Sequence, residues 1–292
     1  MHAKFRGMLA LLHAVHRPER FLTKEVLPMI RQSLFALTFA TAGFAVTPSL
    51  AEMLTAGANV GNVPWEFQDE NGEITGFEVE LLQEVASRLD YEGVDIQNIP
   101  FNGLFSAVQS GRIDVAISSI TITDERLQSV SFAQPYYDSD QSLSTRTDSG
   151  ISSTQDLEGK TVGVDTGSTG DMYASEREAD WGLAGISRYE GLNPAMLDLA
   201  AGRIDAYVSD IPAVAYYLRD KPDMEVVERL KTGEQYSMMF AKDSELAAKA
   251  NEVLTTLKNE GYIASLHEKW FGTAPEDTTS TVTVMDMPAP KS

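Results

Sequence analysis

The sequence predicts an α/β protein of two similar lobes, each a mainly parallel sheet flanked by helices. Two observations predict this fold class. Strand-like and helix-like segments alternate along the chain, which is typical of lobes built on parallel sheets. One ten-residue segment also occurs twice. The length of 292 residues suits one large domain or two ordinary ones.

The first half of the alternation starts at a predicted strand near residue 54. The next helix, Phe77–Leu89, is amphipathic, because apolar residues recur on one of its faces. Asn102 caps a second helix, which ends before Gly111. Thr123 caps a turn of helix whose positive end suits the acidic residues that follow it. The predicted strands here are Leu54–Val60, Val94–Asn98 and Asp114–Ser118.

The second half continues the alternation. Pro194 opens a helix that ends at Ala201, since proline is favoured in the first helical turn. Residues 273–292 are rich in Thr, Pro, Ser and Asp and predict a disordered tail. The other predicted strands are Thr161–Val164, Ile186–Tyr189 and Ala206–Ser209, and the other helices are Gly170–Ala179, Pro212–Leu218, Glu245–Asn259 and Tyr262–Trp270.

The repeated segment locates a cleft. Gly111–Ile120 and Gly202–Ile211 share six of ten residues without a gap, 91 residues apart. This spacing is too long for a solenoid and suits two similar lobes. Ser119 and Asp210 occupy equivalent positions just past the carboxyl ends of their strands. Since ligands bind outside those ends in open α/β sheets, we expect Ser119 and Asp210 to face one cleft from opposite sides.

A second pair of loops supports the same cleft. Asn59–Trp65 follows the first strand of lobe 1, and Asp165–Gly170 follows the first strand of lobe 2. The second loop is small, polar and Gly-rich and opens a helix, so its backbone N–H groups suit an anion. It has neither the Walker lysine nor the GxGxxG spacing, and therefore indicates a nucleotide only weakly.

Composition excludes several functions. The chain carries a formal charge of −20 and has no cysteine. The acidic balance argues against nucleic acid and against anionic lipid as partners. The absence of cysteine excludes disulfides, thiolate nucleophiles, Cys-zinc sites and a lipid-modified N-terminal Cys.

The first 51 residues predict a secretory leader. Arg31 precedes the short apolar run Leu34–Val46, and small residues stand at Ser49 and Ala51. We expect translation to start at Met29, cleavage after Ala51 and a periplasmic protein; an N-terminal anchor helix is the alternative. Cleavage would leave 17 Lys and Arg against 41 Asp and Glu, with one histidine. That histidine has no nucleophile motif nearby, so we expect no catalysis, metal or cofactor.

Six motifs now identify the chain as a member of the family-3 bacterial extracellular solute-binding proteins, the amino-acid-binding components of ABC importers. They run in family order over residues 52–272, nearly the whole chain after the leader. The matching stretches are 64–67 with 76–81, 102–104, 118–126, 132–137, 156–160 and 268–272, reading PWEF with GFEVEL, NGL, SSITITDER, FAQPYY, DLEGK and EKWFG.

The resemblance implies a two-lobed periplasmic-binding-protein fold of type II. Lobe 1 would comprise residues 52–143 and 238–272, and lobe 2 residues 147–235. Two hinge strands, near Gln141–Thr145 and Tyr236–Ala241, would join the lobes. Ligand would close the lobes by hinge motion.

The resemblance also implies ligand contacts. Arg126 matches the arginine that pairs with the ligand α-carboxylate, for which its planar fork is suited; a solvated arginine is the alternative. Asp210 matches the acid that pairs with the α-ammonium, and could also cap the following helix. The remaining expected contacts are hydroxyl or backbone donors at Ser118, Ser119 and Thr121, a cover over the carboxylate from Ser168 and Thr169, and a wall at Phe101, for which a core position is the alternative.

Three departures from the family pattern bear on specificity. Asn59 and Asn62 stand where many relatives have Asp and Tyr, and Gly170 stands where Gln is common. Trp65 is expected to replace the missing Tyr as a wall, a core tryptophan being the equal alternative. With one basic side chain, Arg126, in the expected site, a second ligand anion would be costly to bury. Neutral polar amino acids therefore rank first, basic ones second, and glutamate or aspartate last.

The sequence thus predicts a monomeric periplasmic receptor that delivers a free amino acid to a membrane ABC permease complex. The main rival is an enzyme, because the fold also resembles cyclohexadienyl dehydratases acting on arogenate or prephenate. Retention of both Arg126 and Asp210 favours binding. A sensor role would need a separate membrane protein.

Overall fold

The computed structural model describes residues 52–290. The predicted leader, with its start at Met29 and cleavage after Ala51, lies outside the described residues. No helix within 52–290 has the length and apolar character needed to cross a bilayer.

Strands and helices alternate over most of this range, as the sequence predicts. The strands are β1 (Met53–Ala58), β2 (Phe67–Gln68), β3 (Ile74–Thr75), β4 (Gly93–Asn98), β5 (Val115–Ala116), β6 (Val130–Phe132), β7 (Tyr137–Arg146), β8 (Thr161–Asp165), β9 (Gly185–Tyr189), β10 (Ala206–Asp210), β11 (Met224–Tyr236) and β12 (Met239–Ala241). The α-helices are α1 (Phe77–Arg88), α2 (Phe101–Gln109), α3 (Thr169–Arg177), α4 (Leu192–Ala200), α5 (Ile211–Leu218), α6 (Glu245–Asn259) and α7 (Tyr262–Phe271).

Two five-stranded sheets share one topology. The first has the order β4-β1-β5-β12-β6 and the second the order β9-β8-β10-β7-β11. In each sheet the first three strands are parallel, and the last two pair antiparallel. The repeat that contains Ser119 and Asp210 thus passes through β5 and β10, the equivalent central strands. The predicted two-lobed fold class is confirmed.

Apolar stripes hold the helices on the sheets. Leu81, Leu82 and Val85 of α1 are buried in the same core as Leu54 of β1 and Leu254 of α6. A second cluster joins α2 to β5 and β12, and a third joins α3 to β8 and β10. These contacts fix the strand ends, from which the loops around the cleft project.

The chain crosses between the sheets twice. It leaves β6 and enters β7 through residues 133–136, and it leaves β11 and enters β12 through residues 237–238. The hinge expected at Gln141–Thr145 instead lies inside the second sheet, where it pairs with β10. The family resemblance implied this hinge, but β7 belongs to the second sheet over its full length, from Tyr137 onward, so the chain crosses before that strand.

The C-terminal residues differ from the expected disordered tail. Residues 273–290 run along lobe 1 and the crossing segments, with Ser280 and Thr281 buried. The Ser280 N–H donates to Asp138 at 2.8 Å, and Lys258 Nζ donates to the Thr283 carbonyl at 2.9 Å. The prediction of disorder came from composition alone. Amino-acid composition carries no information about hydrogen bonds made by backbone groups, which are the groups that the tail uses here.

Candidate functional site

A cleft of about 780 Å³, partly open to solvent, lies between the two sheets. Loops from both lobes line it, each at the carboxyl end of a parallel strand, as the fold class requires. From lobe 1 the lining residues are 59–62, Phe101, Ser118, Ser119 and Thr121; from lobe 2 they are Asp165, Ser168, Thr169, 190–194, Ser209, Asp210 and Ala213.

The cleft collects most of the residues that the sequence singled out. Asn59, Phe101, Ser118, Ser119, Thr121, Ser168, Thr169 and Asp210 all line it. The two exceptions are Arg126 and Trp65. The expectation from the repeat also holds, since Ser119 and Asp210 contribute to the same cavity from opposite lobes.

Arg126 lies at one end of the cleft, beside residues that line it. Its Nη1 donates to the Thr121 carbonyl at 2.7 Å, and its Nη2 donates across the cleft to the Gly167 carbonyl at 3.2 Å. Its Nε has no hydrogen-bond partner within residues 52–290. The guanidinium also lies 5.5 Å from the ring centre of Phe101, a wall of the cleft.

The charge on Arg126 is buried without a counter-ion. Only 4% of the residue is exposed, and within residues 52–290 it forms no ion pair at 4.0 Å or less. Burial lowers the pKa of Arg126 to about 10, against the opposing effect of Glu234 and Asp210. The side chain stays cationic at neutral pH, so it can pair with an anion brought into the cleft.

Two acidic side chains face this cation from the lobe 2 side. The Gln141 amide donates to Glu234 at 3.0 Å and also to Asp210. Burial and then the charge of Glu234 raise the pKa of Asp210 well above its usual range. Asp210 precedes α5, but its carboxylate makes no capping hydrogen bond to that helix. The carboxylate therefore remains available to a cationic group of a ligand.

Glu234 contacts the cleft residues Thr121 and Thr169, and the sequence analysis did not single it out. It lies near the end of β11, and its Oε2 accepts hydrogen bonds from the hydroxyls of Thr121 at 2.8 Å and Thr169 at 3.1 Å. These two threonines belong to different lobes. Neither the repeat nor a motif indicates Glu234. Its only distinguishing feature in the sequence is that it stands two residues before Tyr236, the first residue of an expected hinge strand.

Asp165 places a third acidic group at the cleft. It ends β8, lines the cavity and has no ion pair among the described residues. Burial raises the pKa of Asp165 to about 7, although the nearby Tyr207 hydroxyl and Gly191 N–H oppose the rise. The carboxyl group is therefore poised to change its charge with ligand or with pH.

Trp65 does not lie at the cleft, which corrects the expectation of a wall. The side chain is fully buried in an aromatic cluster. Its ring meets Phe77, Tyr137 and Tyr236 edge to face at 4.6 to 5.5 Å between ring centres. These partners come from distant parts of the chain, so the local sequence could not predict that the indole would be buried in the core.

The polar loops of lobe 1 are hydrogen-bonded beneath the cavity. The Asn59 N–H donates to Ser118 Oγ at 3.2 Å, and Asn62 Nδ2 donates to Ser119 Oγ at 3.2 Å. In lobe 2, Ser168 Oγ caps α3 by accepting from the Asp171 N–H at 3.1 Å. Ser168 and Thr169, at the N-terminus of α3, line the same cavity.

Comparison with known proteins decides the family. Residues 54–273 match the bacterial extracellular solute-binding proteins, family 3. The chain belongs to this family. The arginine-binding extracellular protein ArtP of Bacillus subtilis (strain 168) is 33% identical over 241 residues, which cover 81% of this chain and 93% of that protein.

Solved structures of similar proteins agree. The arginine-, lysine-, histidine-binding protein ArtJ from Geobacillus stearothermophilus is 34% identical, with a TM-score of 0.72 over 77% of this chain and 98% of that one. An ancestral arginine-binding protein bound to glutamine is 33% identical, with a TM-score of 0.70 over 76% and 98%. These proteins are named for binding, so the dehydratase interpretation gains no support from them, and the solute-binding interpretation is confirmed.

Proposed function

We propose that this solute-binding protein is a periplasmic receptor that closes on one free L-amino acid and delivers it, as a monomer, to a membrane ABC permease complex. One observation carries the proposal: Asp210 lines the cleft, and the cleft residues Thr121 and Thr169 bond to Glu234, while Arg126, a buried cation without a counter-ion among the described residues, bonds to Thr121. An amino acid brings a carboxylate and an ammonium on adjacent atoms, which matches this arrangement.

The carboxylate end is assigned to Arg126. A carboxylate would give the guanidinium the counter-ion that it lacks, in place of its bond across the cleft to the Gly167 carbonyl. Ser119, Thr121 and the N-terminus of α3 with Ser168 and Thr169 line the adjoining space and supply further donors. Donors from both lobes explain how one ligand would hold the lobes closed.

The ammonium end is assigned to Asp210. Its carboxyl group is kept close to Glu234, which makes ionising both acids unfavourable. A ligand ammonium would favour the ionised form of Asp210 and relieve this cost. Phe101, which is half-buried on the opposite side of the cavity, would pack against the ligand carbons.

The ligand side chain is proposed to be basic. After the zwitterion is paired, Asp165 and Glu234 remain as acids without a cation among the described residues, and exposed Glu190 adds negative charge at the rim. A guanidinium or ammonium would neutralise Asp165, whereas a glutamate side chain would face it directly. The names of the relatives, which bind arginine, lysine and histidine, agree with this assignment.

The neutral polar ligand that the sequence ranked first stays as the second candidate. Asn59 and the hydroxyls of the cleft can hydrogen-bond an amide, and a similar protein is known with glutamine bound. Calorimetric titration of the protein with arginine, glutamine and glutamate separates these possibilities. We expect the affinity order arginine, glutamine, glutamate; glutamine above arginine would restore the sequence ranking, and glutamate first would refute the charge argument.

The zwitterion assignment has its own test. Arg126→Ala should abolish binding of every amino acid, because losing one partner of a buried ion pair costs about 3–5 kcal/mol, at least about 100-fold in affinity. Arg112→Ala is the matched control, since Arg112 is exposed and lies outside the cleft. Near-native binding by Arg126→Ala, measured by calorimetry on folded protein, would refute the assignment.

The proposed location depends on the leader. Residues 1–51 would direct export and be removed after Ala51, leaving the receptor in the periplasm. The check is the N-terminal sequence of the protein recovered from the exported fraction, for which we expect Glu52 as the first residue.

A further inference from the structure

Two carboxyl groups lie directly beneath the floor of the cleft, and the proposed ligand contacts do not use them. Glu66 and Glu78 are both fully buried. Glu66 ends the loop that follows β1, and Glu78 is in the first turn of α1. No Lys, Arg or His pairs with either of them in the part of the chain that the structure describes. Fully buried acidic residues without a cationic partner are costly and call for a physical reason.

Each carboxyl group holds one of two successive residues of the cleft floor. Both oxygens of Glu78 accept from the Ser119 N–H, at 3.0 Å each. The Ser118 hydroxyl donates to Glu66 Oε1 at 2.8 Å, and Ser118 Oγ accepts in turn from the Asn59 N–H at 3.2 Å. The two acids thus fix the loop that presents Ser118 and Ser119 to the ligand.

The backbone of Ser119 shows why such a hold is needed. Its φ is +50°, in the left-handed region that non-glycine residues rarely adopt. This conformation is unfavourable by itself and persists only where surrounding contacts enforce it. The bonds from Ser119 N–H to Glu78 are those contacts.

The hydrogen bonds also show which acid carries a proton. Glu78 accepts from the Ser119 N–H and from the Tyr136 hydroxyl, so its oxygens are occupied as acceptors. Glu66 Oε2 is buried and has no hydrogen-bond partner among the described residues, so this oxygen can carry a proton and direct it toward the Glu78 carboxylate. Burial, and then the charge of Glu78, raise the pKa of Glu66 well above its usual range, which agrees with a neutral Glu66.

We propose that Glu66 and Glu78 are positioning residues for the ligand: they share one proton, held on Glu66, and this acid pair sets Ser118 and Ser119 in the geometry that receives the amino acid. The role of the pair rests on the proposed function, since Ser118 and Ser119 position the ligand only if the cleft binds one.

Glutamine substitutions test the location of the proton. Glu66→Gln reproduces a protonated Glu66, because its amide N–H can donate to Glu78 and its oxygen can accept from Ser118. We expect it to keep the affinity for arginine within about threefold and to melt no lower than the original protein. Glu78→Gln removes one acceptor and points an amide N–H at donors. We expect it to melt lower and to bind at least about tenfold more weakly.

Two further variants complete the design. Glu66→Ala should lose affinity that Glu66→Gln restores, which a role in bulk packing alone would not produce. Glu92→Gln is the matched control, an exposed glutamate in lobe 1, and should leave affinity and melting temperature unchanged. Affinity is measured by calorimetry with arginine and glutamine on variants whose folded state is verified by circular dichroism.

The outcomes separate the two proposals. Equal losses in Glu66→Gln and Glu78→Gln would overturn the shared proton, and native affinity in Glu78→Gln would overturn the positioning role. If the original protein and Glu92→Gln bind no amino acid, the proposed function fails and the positioning role with it, while the melting temperatures still test where the proton resides.

Discussion

Asp165 links ligand choice to pH. Its pKa of about 7 means that the carboxyl group is largely neutral at pH 5.5 and largely ionised at pH 8. The proposed cationic ligand side chain would bind the ionised form, so each ligand bound below pH 7 would first have to displace a proton. We therefore expect the affinity for arginine to rise by up to about tenfold per pH unit below 7 and to level off above it.

The dependence should belong to Asp165 and to the charge of the ligand side chain. Asp165→Asn should reduce the pH dependence of arginine binding between pH 5.5 and 8 to that of glutamine, and should weaken arginine binding at pH 8 more than glutamine binding. Glutamine, titrated over the same range, reports the titration of Asp210 and supplies the baseline. An arginine profile that is unchanged in Asp165→Asn would assign the pH dependence to another group.

Asp210 is expected to form an ion pair with the ligand α-ammonium. Asp210→Asn keeps the shape of the side chain, including its capacity to accept from Gln141, but removes the charge. We expect arginine to bind about tenfold or more weakly, in line with the cost of breaking a charged pair, and its analogue without the α-amino group to lose much less. The two ligands are compared by calorimetry, and equal losses for both would show that Asp210 has a structural role only.

At the scale of elements, the C-terminal segment provides a hydrogen-bond acceptor for a buried lysine. Lys258 in α6 is 5% exposed, and its Nζ donates to Gln134 Oε1 at 2.8 Å and to the carbonyls of Pro135 at 2.6 Å and Thr283 at 2.9 Å. None of these acceptors is charged, and burial lowers the pKa of Lys258 to about 8. The C-terminal segment therefore completes the hydrogen bonding of an ammonium group that the core alone would leave incomplete.

Deletion of residues 275–292 should destabilise the protein. It removes the Thr283 carbonyl from Lys258 and leaves Asp138 without the Ser280 N–H, a loss of about 1–3 kcal/mol. For a chain of this size we expect the melting temperature to fall by about 2–10 °C. Lys258→Met in the shortened chain should recover part of the loss, because it removes the group that needs an acceptor. An unchanged melting temperature after the deletion would contradict this role.

At the scale of the whole molecule, most of the fold was predictable from hydrophobic periodicity and the repeat. The helix Glu245–Asn259 was predicted to the residue, and the equivalence of Ser119 and Asp210 placed the cleft. Both signals are local or depend on comparing the chain with itself. The burial of Trp65 was not predictable, because its partners Phe77, Tyr137 and Tyr236 meet it only after folding.

The same limit explains the site residues that were missed. Glu234 becomes part of the site because β11 ends where both lobes meet, and its bonds to Thr121 and Thr169 span 113 and 65 residues. Arg126 was found because it stands in a dense motif, TITDER, and not because its burial could be foreseen. Sequence patterns within one segment therefore do not predict polar contacts between residues that are far apart in the chain.

Hydrogen bonds between the two lobes favour closure of the cleft. Thr121 of lobe 1 and Thr169 of lobe 2 donate to the same oxygen of Glu234, and Asn193 Nδ2 donates across the cleft to the Gly61 carbonyl at 3.3 Å. The bonds from Thr121 to Glu234 and from Asn193 to Gly61 join the two lobes directly and therefore favour the closed form. Since apparent affinity scales with the fraction of binding-competent protein, loss of such a bond weakens binding through the open–closed equilibrium.

Thr121→Val tests this coupling with little change of shape. The variant loses the lobe 1 hydroxyl that donates to Glu234 of lobe 2 at 2.8 Å, a bond worth about 1 kcal/mol, so we expect about fivefold weaker binding of arginine. Thr256→Val, in lobe 1 but exposed and away from the cleft, is the control. Small-angle scattering separates closure from direct contact: without added amino acid the Thr121→Val protein should have a larger radius of gyration than the control, and the two should coincide at saturating arginine. If the radii without amino acid are equal, the hydroxyl contributes to ligand contact alone and the closed form is not held by Glu234.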